Sequence, residues 1–259
     1  MMPGLFDRDR PGREPRRRSR GVFLLPSLFT VGNLFCGYAC IVYSMTGRVE
    51  GAAPFIGIAI ILDMLDGRIA RLTNTTSAFG VEFDSLADVI SFGAAPAVLA
   101  FAWGLGDLGQ VGWAAGFLFL SASAMRLARF NIQGASQGDK RYFVGMPTPA
   151  AAGVAAATVY AWPDIPSDPV RAAVAVAIML IPAGLMVSTI RFRSFKTINL
   201  GWDRSYKPLL AFALFITFIA TWPRITLVLM AYCYLASGFV EMAITRYRLR
   251  REARLAGAP

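Results

Sequence analysis

The sequence of 259 residues contains no histidine. That removes the imidazole as general base, nucleophile and metal ligand, and with it the histidine-dependent hydrolases and most zinc sites. Cysteine is nearly as scarce. Cys36, Cys40 and Cys233 lie within apolar runs, offer neither a disulfide framework nor zinc-ligand spacing, and read as small core residues. Charged residues make up only 16% of the chain and are lopsided, with 26 Lys and Arg against 16 Asp and Glu. The hydrophobic share is 56% and the mean hydropathy +0.51, whereas soluble domains average about 45–50% apolar on a comparable count. In a soluble protein a net charge of +10 would point to nucleic acid. Here the long apolar runs argue against a nucleic-acid partner and turn the positive charge into a signal of membrane topology.

Apolar runs of roughly spanning length recur at 22–44, 51–70, 82–104, 109–130, 147–163, 170–190, 207–222 and 224–245. The chain therefore reads as an all-α integral membrane protein of about eight transmembrane helices. Residues 1–20 carry seven arginines and form a disordered basic tail. Residues 21–246 form the membrane domain, and 247–259 a second basic tail. With the N-terminus in the cytoplasm and the helices alternating, only Arg48, Arg171 and Arg224 of the 26 Lys and Arg fall outside. The positive-inside bias thus predicts an even number of spans with both termini cytoplasmic. Gly93 and Pro96 inside the third run predict a kink or close packing there.

Against this apolar background one stretch stands out, DMLDGRIARLTNTTSAFGVEFDSLAD, from Asp63 to Asp88. Asp63 and Asp66 are three residues apart, Asp84 and Asp88 four apart, so each pair shares a helix face. The two pairs meet if the helices pack side by side across the polar turn Thr73 to Ser77. Four carboxylates cannot share a small apolar site unpaired, because repulsion and desolvation would force protonation. Divalent cations remove that conflict, and two ions would balance four charges. Oxygen-only ligands suit Mg²⁺ or Mn²⁺. Arg71, two turns beyond Asp63, is placed to hold phosphate by charge-assisted hydrogen bonds. Gly67, Ala70 and Gly80 lack bulk where a ligand or a neighbouring backbone approaches. Ser77 either reaches a bound group or is a plain turn residue. Arg68 reads as an ordinary cytoplasmic charge. Thr30, Asn33 and Gly37 recur at helical spacing in the first run, as a packing stripe or as the lining of a pocket.

The pattern D-x2-D-G-x2-A-R-x8-G-x3-D-x3-D on Asp63, Asp66, Gly67, Ala70, Arg71, Gly80, Asp84 and Asp88 resembles the signature of the CDP-alcohol phosphatidyltransferases, and every position of it is met. The stretch LFTVGNLFCG, Arg126 to Asn131, Arg141 to Ala152 and Arg193 to Lys196 are similar to the phosphatidylserine-synthase branch of that family, over about residues 22–200. The resemblance implies a CDP-alcohol phosphotransferase helical bundle in the bacterial inner membrane and a homodimer among membrane lipids, and the charge bias places its active site on the cytoplasmic side. It also implies that CDP-diacylglycerol gives its phosphatidyl group to L-serine, releasing CMP.

On that reading Asp63, Asp66, Asp84 and Asp88 hold Mg²⁺ or Mn²⁺, and Asp88 is general base toward the serine hydroxyl or a further ligand. Thr30, Asn33, Asp66, Gly67, Ala70, Arg71, Ser77 and Gly80 bind the CDP-lipid. Serine needs a cation for its carboxylate, from among Arg126, Arg129, Arg141 and Lys196, with Arg129 and Lys196 favoured. Rival readings keep the reaction but use glycerol 3-phosphate, inositol phosphate or choline as acceptor, or turn the four aspartates into the ion site of a cation-coupled transporter.

Overall fold

The computed structural model describes residues 24–73, 77–134, 142–164, 169–193 and 206–256. The order is α1 (Leu24–Met45), α2 (Val49–Thr73), α3 (Ala78–Asp88), α4 (Ala95–Ala102), α5 (Gln110–Gly134), β1 (Tyr142–Val144), α6 (Thr148–Ala161), α7 (Pro169–Val187), β2 (Arg191–Arg193), α8 (Lys207–Thr221) and α9 (Pro223–Ala256). Six residues in π conformation, Val89–Ala94, join α3 to α4 without a break. The described residues therefore make eight helical rods.

The turns follow from local chemistry. Gly47, at φ +74°, closes α1, and Arg48 N–H bonds back to the Tyr43 carbonyl at 3.0 Å. This is the left-handed glycine cap that lets two antiparallel helices meet across a short link. The π turn is the form taken by the predicted kink. Pro96 has no N–H to give the Phe92 carbonyl, and its ring crowds that oxygen in a regular helix. The wider turn relieves the conflict, and Ala95 N–H reaches back five residues to Ile90.

Small residues fill the centre. In α6, Ala151, Ala152, Val154, Ala155 and Val159 are buried, and the helix is packed among α2, α7, α9 and α4. Large apolar side chains face outward instead, among them Leu28, Phe35, Tyr38, Phe79, Trp113, Leu209 and Ile225. Close contact through small residues with Leu and Phe turned out is how helices associate in lipid. Four segments are long and apolar enough to cross a membrane: Ser27–Met45, Ala78–Ala102, Gln110–Ile132 and Pro223–Ala243. The other rods are helical but differ in kind. Five charged residues interrupt α2, while α6 and α8 have 14 and 15 residues.

β1 and β2 pair antiparallel, Tyr142 with Arg193 and Val144 with Arg191, and tie the segment before α6 to the one after α7. Gly145, at φ +83°, follows β1, and a side chain there would run into the Met186 carbonyl. α9 continues to Ala256, through most of the stretch read as a second basic tail. Arg, Leu, Ala and Glu are all good helix formers, and no Gly or Pro intervenes between Tyr247 and Gly257. The first basic tail lies outside the described residues.

Candidate active site

The signature residues sit on α2 and α3 and converge at one end of the bundle. One carboxylate oxygen from each of Asp63, Asp84 and Asp88 lies within 4.8 Å of the others. Asp66 does not join this trio. A three-residue step turns a helix by about 300°, so Asp66 points to one side of Asp63. There, 6% exposed, it accepts a hydrogen bond from the Thr30 hydroxyl on α1. It still stands close enough to repel Asp63 and Asp84 electrostatically.

Asp88 is 8% exposed, and its Oδ1 accepts from Asn33 Nδ2 at 3.1 Å. Thr30 and Asn33, one helical turn apart on α1, thus each serve a different aspartate. Asp84 Oδ1 is buried with no hydrogen-bond donor among the described residues. A buried, unpaired carboxylate oxygen beside two further carboxylates is costly without a cation. The donor set is all oxygen and anionic, and the three groups are placed so that they could hold a metal ion.

Cations border the cluster. Arg71 interacts with Asp63, and its guanidinium folds back along α2 over Gly67, where a Cβ would lie 3.5 Å from Nη1. Arg126, on α5, interacts with both Asp63 and Asp88. Its Nη1 donates to Thr148 Oγ1 at 2.7 Å, and its guanidinium lies 5.7 Å from the Phe130 ring centre. Of the two arginines at the end of α5, Arg126 therefore faces the aspartates, while Arg129 donates to the Val187 carbonyl at 3.4 Å. Lys196 and Arg141 lie outside the described residues.

Ser77 caps α3, its hydroxyl accepting from Gly80 N–H at 3.0 Å. A Cβ at Gly80 would stand 3.1 Å from that oxygen, which gives both residues a local structural task at the edge of the site. Ala70 is half-buried on α2, and Arg68 is exposed. Sequence reasoning passed over Tyr234. It lies on α9, half-buried, and interacts with Arg126. Nothing in its spacing pointed to the site, because the last two helices carry no motif.

Residues 23–190 match the family model for CDP-alcohol phosphatidyltransferase. The chain is similar to proteins named CDP-diacylglycerol–serine O-phosphatidyltransferase from several organisms. The Helicobacter pylori protein (strain ATCC 700392 / 26695) is 47% identical over 131 residues, which are 51% of this chain and 55% of that protein. The Mycobacterium leprae protein is 41% identical over 140 residues, 52% of this chain and 46% of its own length. The Saccharomyces cerevisiae protein is 40% identical over 133 residues, 46% and 48% of the two chains. The chain thus spans about half the length of these curated relatives.

Proposed function

We propose, from the premise that the chain belongs to the CDP-alcohol phosphatidyltransferase family, that it transfers a phosphatidyl group from CDP-diacylglycerol to the hydroxyl of L-serine and releases CMP. The observation that carries this is the trio of Asp63, Asp84 and Asp88 oxygens within 4.8 Å, bordered by Arg71 and Arg126. Such a site combines cation ligands with groups that hold a diphosphate on one side and a carboxylate on the other.

Mg²⁺ or Mn²⁺, as two ions held by Asp63, Asp84 and Asp88 with Asp66 alongside, would neutralise charge on the diphosphate and on the departing CMP. The chain's own residues do the rest. Arg71, exposed at the end of α2, clamps phosphate oxygens with its planar fork. Gly67, Ala70 and Gly80 leave the surface low enough for the nucleotide to approach. The serine hydroxyl attacks the phosphorus of the phosphatidyl group, a new O–P bond forms, and the phosphoanhydride bond to CMP breaks with its electrons leaving on the CMP phosphate. Asp88 takes the hydroxyl proton. Arg126 receives the serine carboxylate, because Thr148 and Phe130 hold it facing Asp88. Arg129 then serves as an outer charge that attracts the substrate, and Lys196 stays a proposed cation for the serine carboxylate. The lipid tails stay in the bilayer against the outward-facing apolar side chains.

The rods not long or apolar enough by themselves complete an eight-span bundle with both termini and the site on the cytoplasmic side of a bacterial inner membrane. The charge distribution supports this reading, and a homodimer follows from the family resemblance. The deciding experiment measures CMP release by purified protein from CDP-diacylglycerol with Mn²⁺ or Mg²⁺, each alcohol added separately. Serine-dependent release that EDTA abolishes and Mn²⁺ restores is expected. Release with only glycerol 3-phosphate, inositol phosphate or choline would sink the serine assignment. Serine flux into liposomes without CMP release would replace the transferase with a transporter.

A further inference from the structure

Asn33 lies on α1 with no exposed surface, and its side chain is committed. Nδ2 donates to Asp88 Oδ1 at 3.1 Å, across 55 residues of sequence. Asn33 is also gripped through its main chain. Ser91, fully buried, donates its hydroxyl to the Asn33 carbonyl at 2.9 Å. Ser91 is three residues beyond Asp88, inside the π turn. The approach depends on Gly37, one turn further along α1, where a Cβ would lie 2.8 Å from Ser91 Cα. The result is a closed ring: Asp88 to Asn33, Asn33 to Ser91, and Ser91 back to Asp88 through the backbone.

A nucleotide contact would use Asn33 differently. One N–H of its amide is committed to Asp88, and its Oδ1 has no hydrogen-bond partner among the described residues. A hydrogen bond to a carboxylate in such a buried place is strong, and it fixes geometry as well as charge.

We propose that Asn33 and Ser91 are positioning residues for the chemical step. Asn33 engages one Asp88 oxygen and fixes the carboxylate rotamer, so that the other oxygen meets the acceptor hydroxyl. Ser91 acts through Asn33 by holding its backbone. The π turn is the element that brings Ser91 back to α1. The inference rests on the transferase reading but not on serine as the acceptor.

The test compares Asn33→Ala, Ser91→Ala and the double variant with the parent protein, using whichever alcohol drives CMP release in the parent. Misplacing a catalytic group by about 1 Å costs on the order of 10²-fold in rate. Asn33→Ala should therefore lower kcat about 10- to 100-fold, with KM for CDP-diacylglycerol and for the alcohol within about threefold. Ser91→Ala should lower kcat by a smaller factor. The double variant should match Asn33→Ala, because two residues acting as one unit are not additive. Mn²⁺ binding, followed by electron paramagnetic resonance, should stay near that of the parent in all three. A raised KM for CDP-diacylglycerol with kcat intact would make Asn33 a nucleotide contact and overturn the proposal, as would an additive double variant or loss of Mn²⁺ binding. If Asn33→Ala does not fold, Ser91→Ala decides by the same split between kcat and KM. A parent that releases no CMP with any alcohol overturns the transferase reading and this inference with it.

Discussion

Asp88 and Asp66 are both almost fully buried on neighbouring helices, and their partners separate their roles. Asp66 takes a hydroxyl from Thr30, whereas Asp88 takes an amide from Asn33 and shares the trio with Asp63 and Asp84. Asp88→Asn keeps shape and removes charge. CMP release should fall by about 10²–10⁴-fold, the range for losing a general base. A parallel Mn²⁺-binding measurement asks whether Asp88 is a ligand besides: weakened binding is expected if it holds the ion as well as the proton, and unchanged binding would leave it the base alone. At Arg126 the expected signature is different. Arg126→Ala should raise KM for serine at least about tenfold, since a charge-assisted hydrogen bond contributes about 1.5–3 kcal/mol, and should leave KM for CDP-diacylglycerol nearly unchanged. Arg129→Ala, whose guanidinium is turned to the Val187 carbonyl, should change KM for serine by less than about threefold. Equal effects at both arginines would mean that neither singly recognises the carboxylate.

At the scale of elements, α1 and the π turn are held together by an absence of bulk. Gly37→Ala places a methyl against Ser91 Cα, backbone that cannot swing aside. Overpacking of this kind costs about 1–3 kcal/mol, so the variant should melt several degrees lower in detergent and lose part of its kcat. An unchanged melting temperature would show that the two helices separate easily. Much of this region was readable beforehand. The aspartate spacings, the glycines and Arg71 lie in one stretch of 26 residues, and helical periodicity alone puts each pair on one face. Thr30 and Asn33 stood out as a polar stripe, yet spacing could not say that one serves Asp66 and the other Asp88. Arg126 and Arg129 are three residues apart at the end of α5. Which of them faces the aspartates depends on where Thr148 and Val187 pack, and that is tertiary information. Pro96 announced a kink, but the extra residue absorbed as a π turn depends on how closely α1 and α5 approach Ser91 and Gly93. Tyr234 was invisible for the same reason, since only the docking of α9 beside α6 brings it near Arg126.

Across the whole molecule the two ends of the bundle differ. At one end Trp103 Nε1 donates to the Trp162 carbonyl at 2.7 Å, Arg224 pairs with Glu50, and the Arg224 guanidinium sits 5.7 Å from the Tyr160 ring centre. The turns after α1, α4, α6 and α8 therefore gather there. The aspartates, Arg126 and the Val187 carbonyl gather at the opposite end, as an even number of alternating rods requires. Among the described residues, Arg48 and Arg224 belong to the first end, whereas Arg71 and Arg126 belong with the aspartates. The topology we propose applies the positive-inside rule to this asymmetry and puts that end outside and the aspartates in the cytoplasm. Single cysteines test the assignment in a background with Cys36, Cys40 and Cys233 replaced by alanine. Thr46→Cys and Asp107→Cys should react with a membrane-impermeant maleimide in intact spheroplasts. Arg68→Cys and Thr73→Cys should react only after lysis. The reverse pattern would put the site outside. Mixed labelling within either pair would break the alternation, and with it the eight-span bundle.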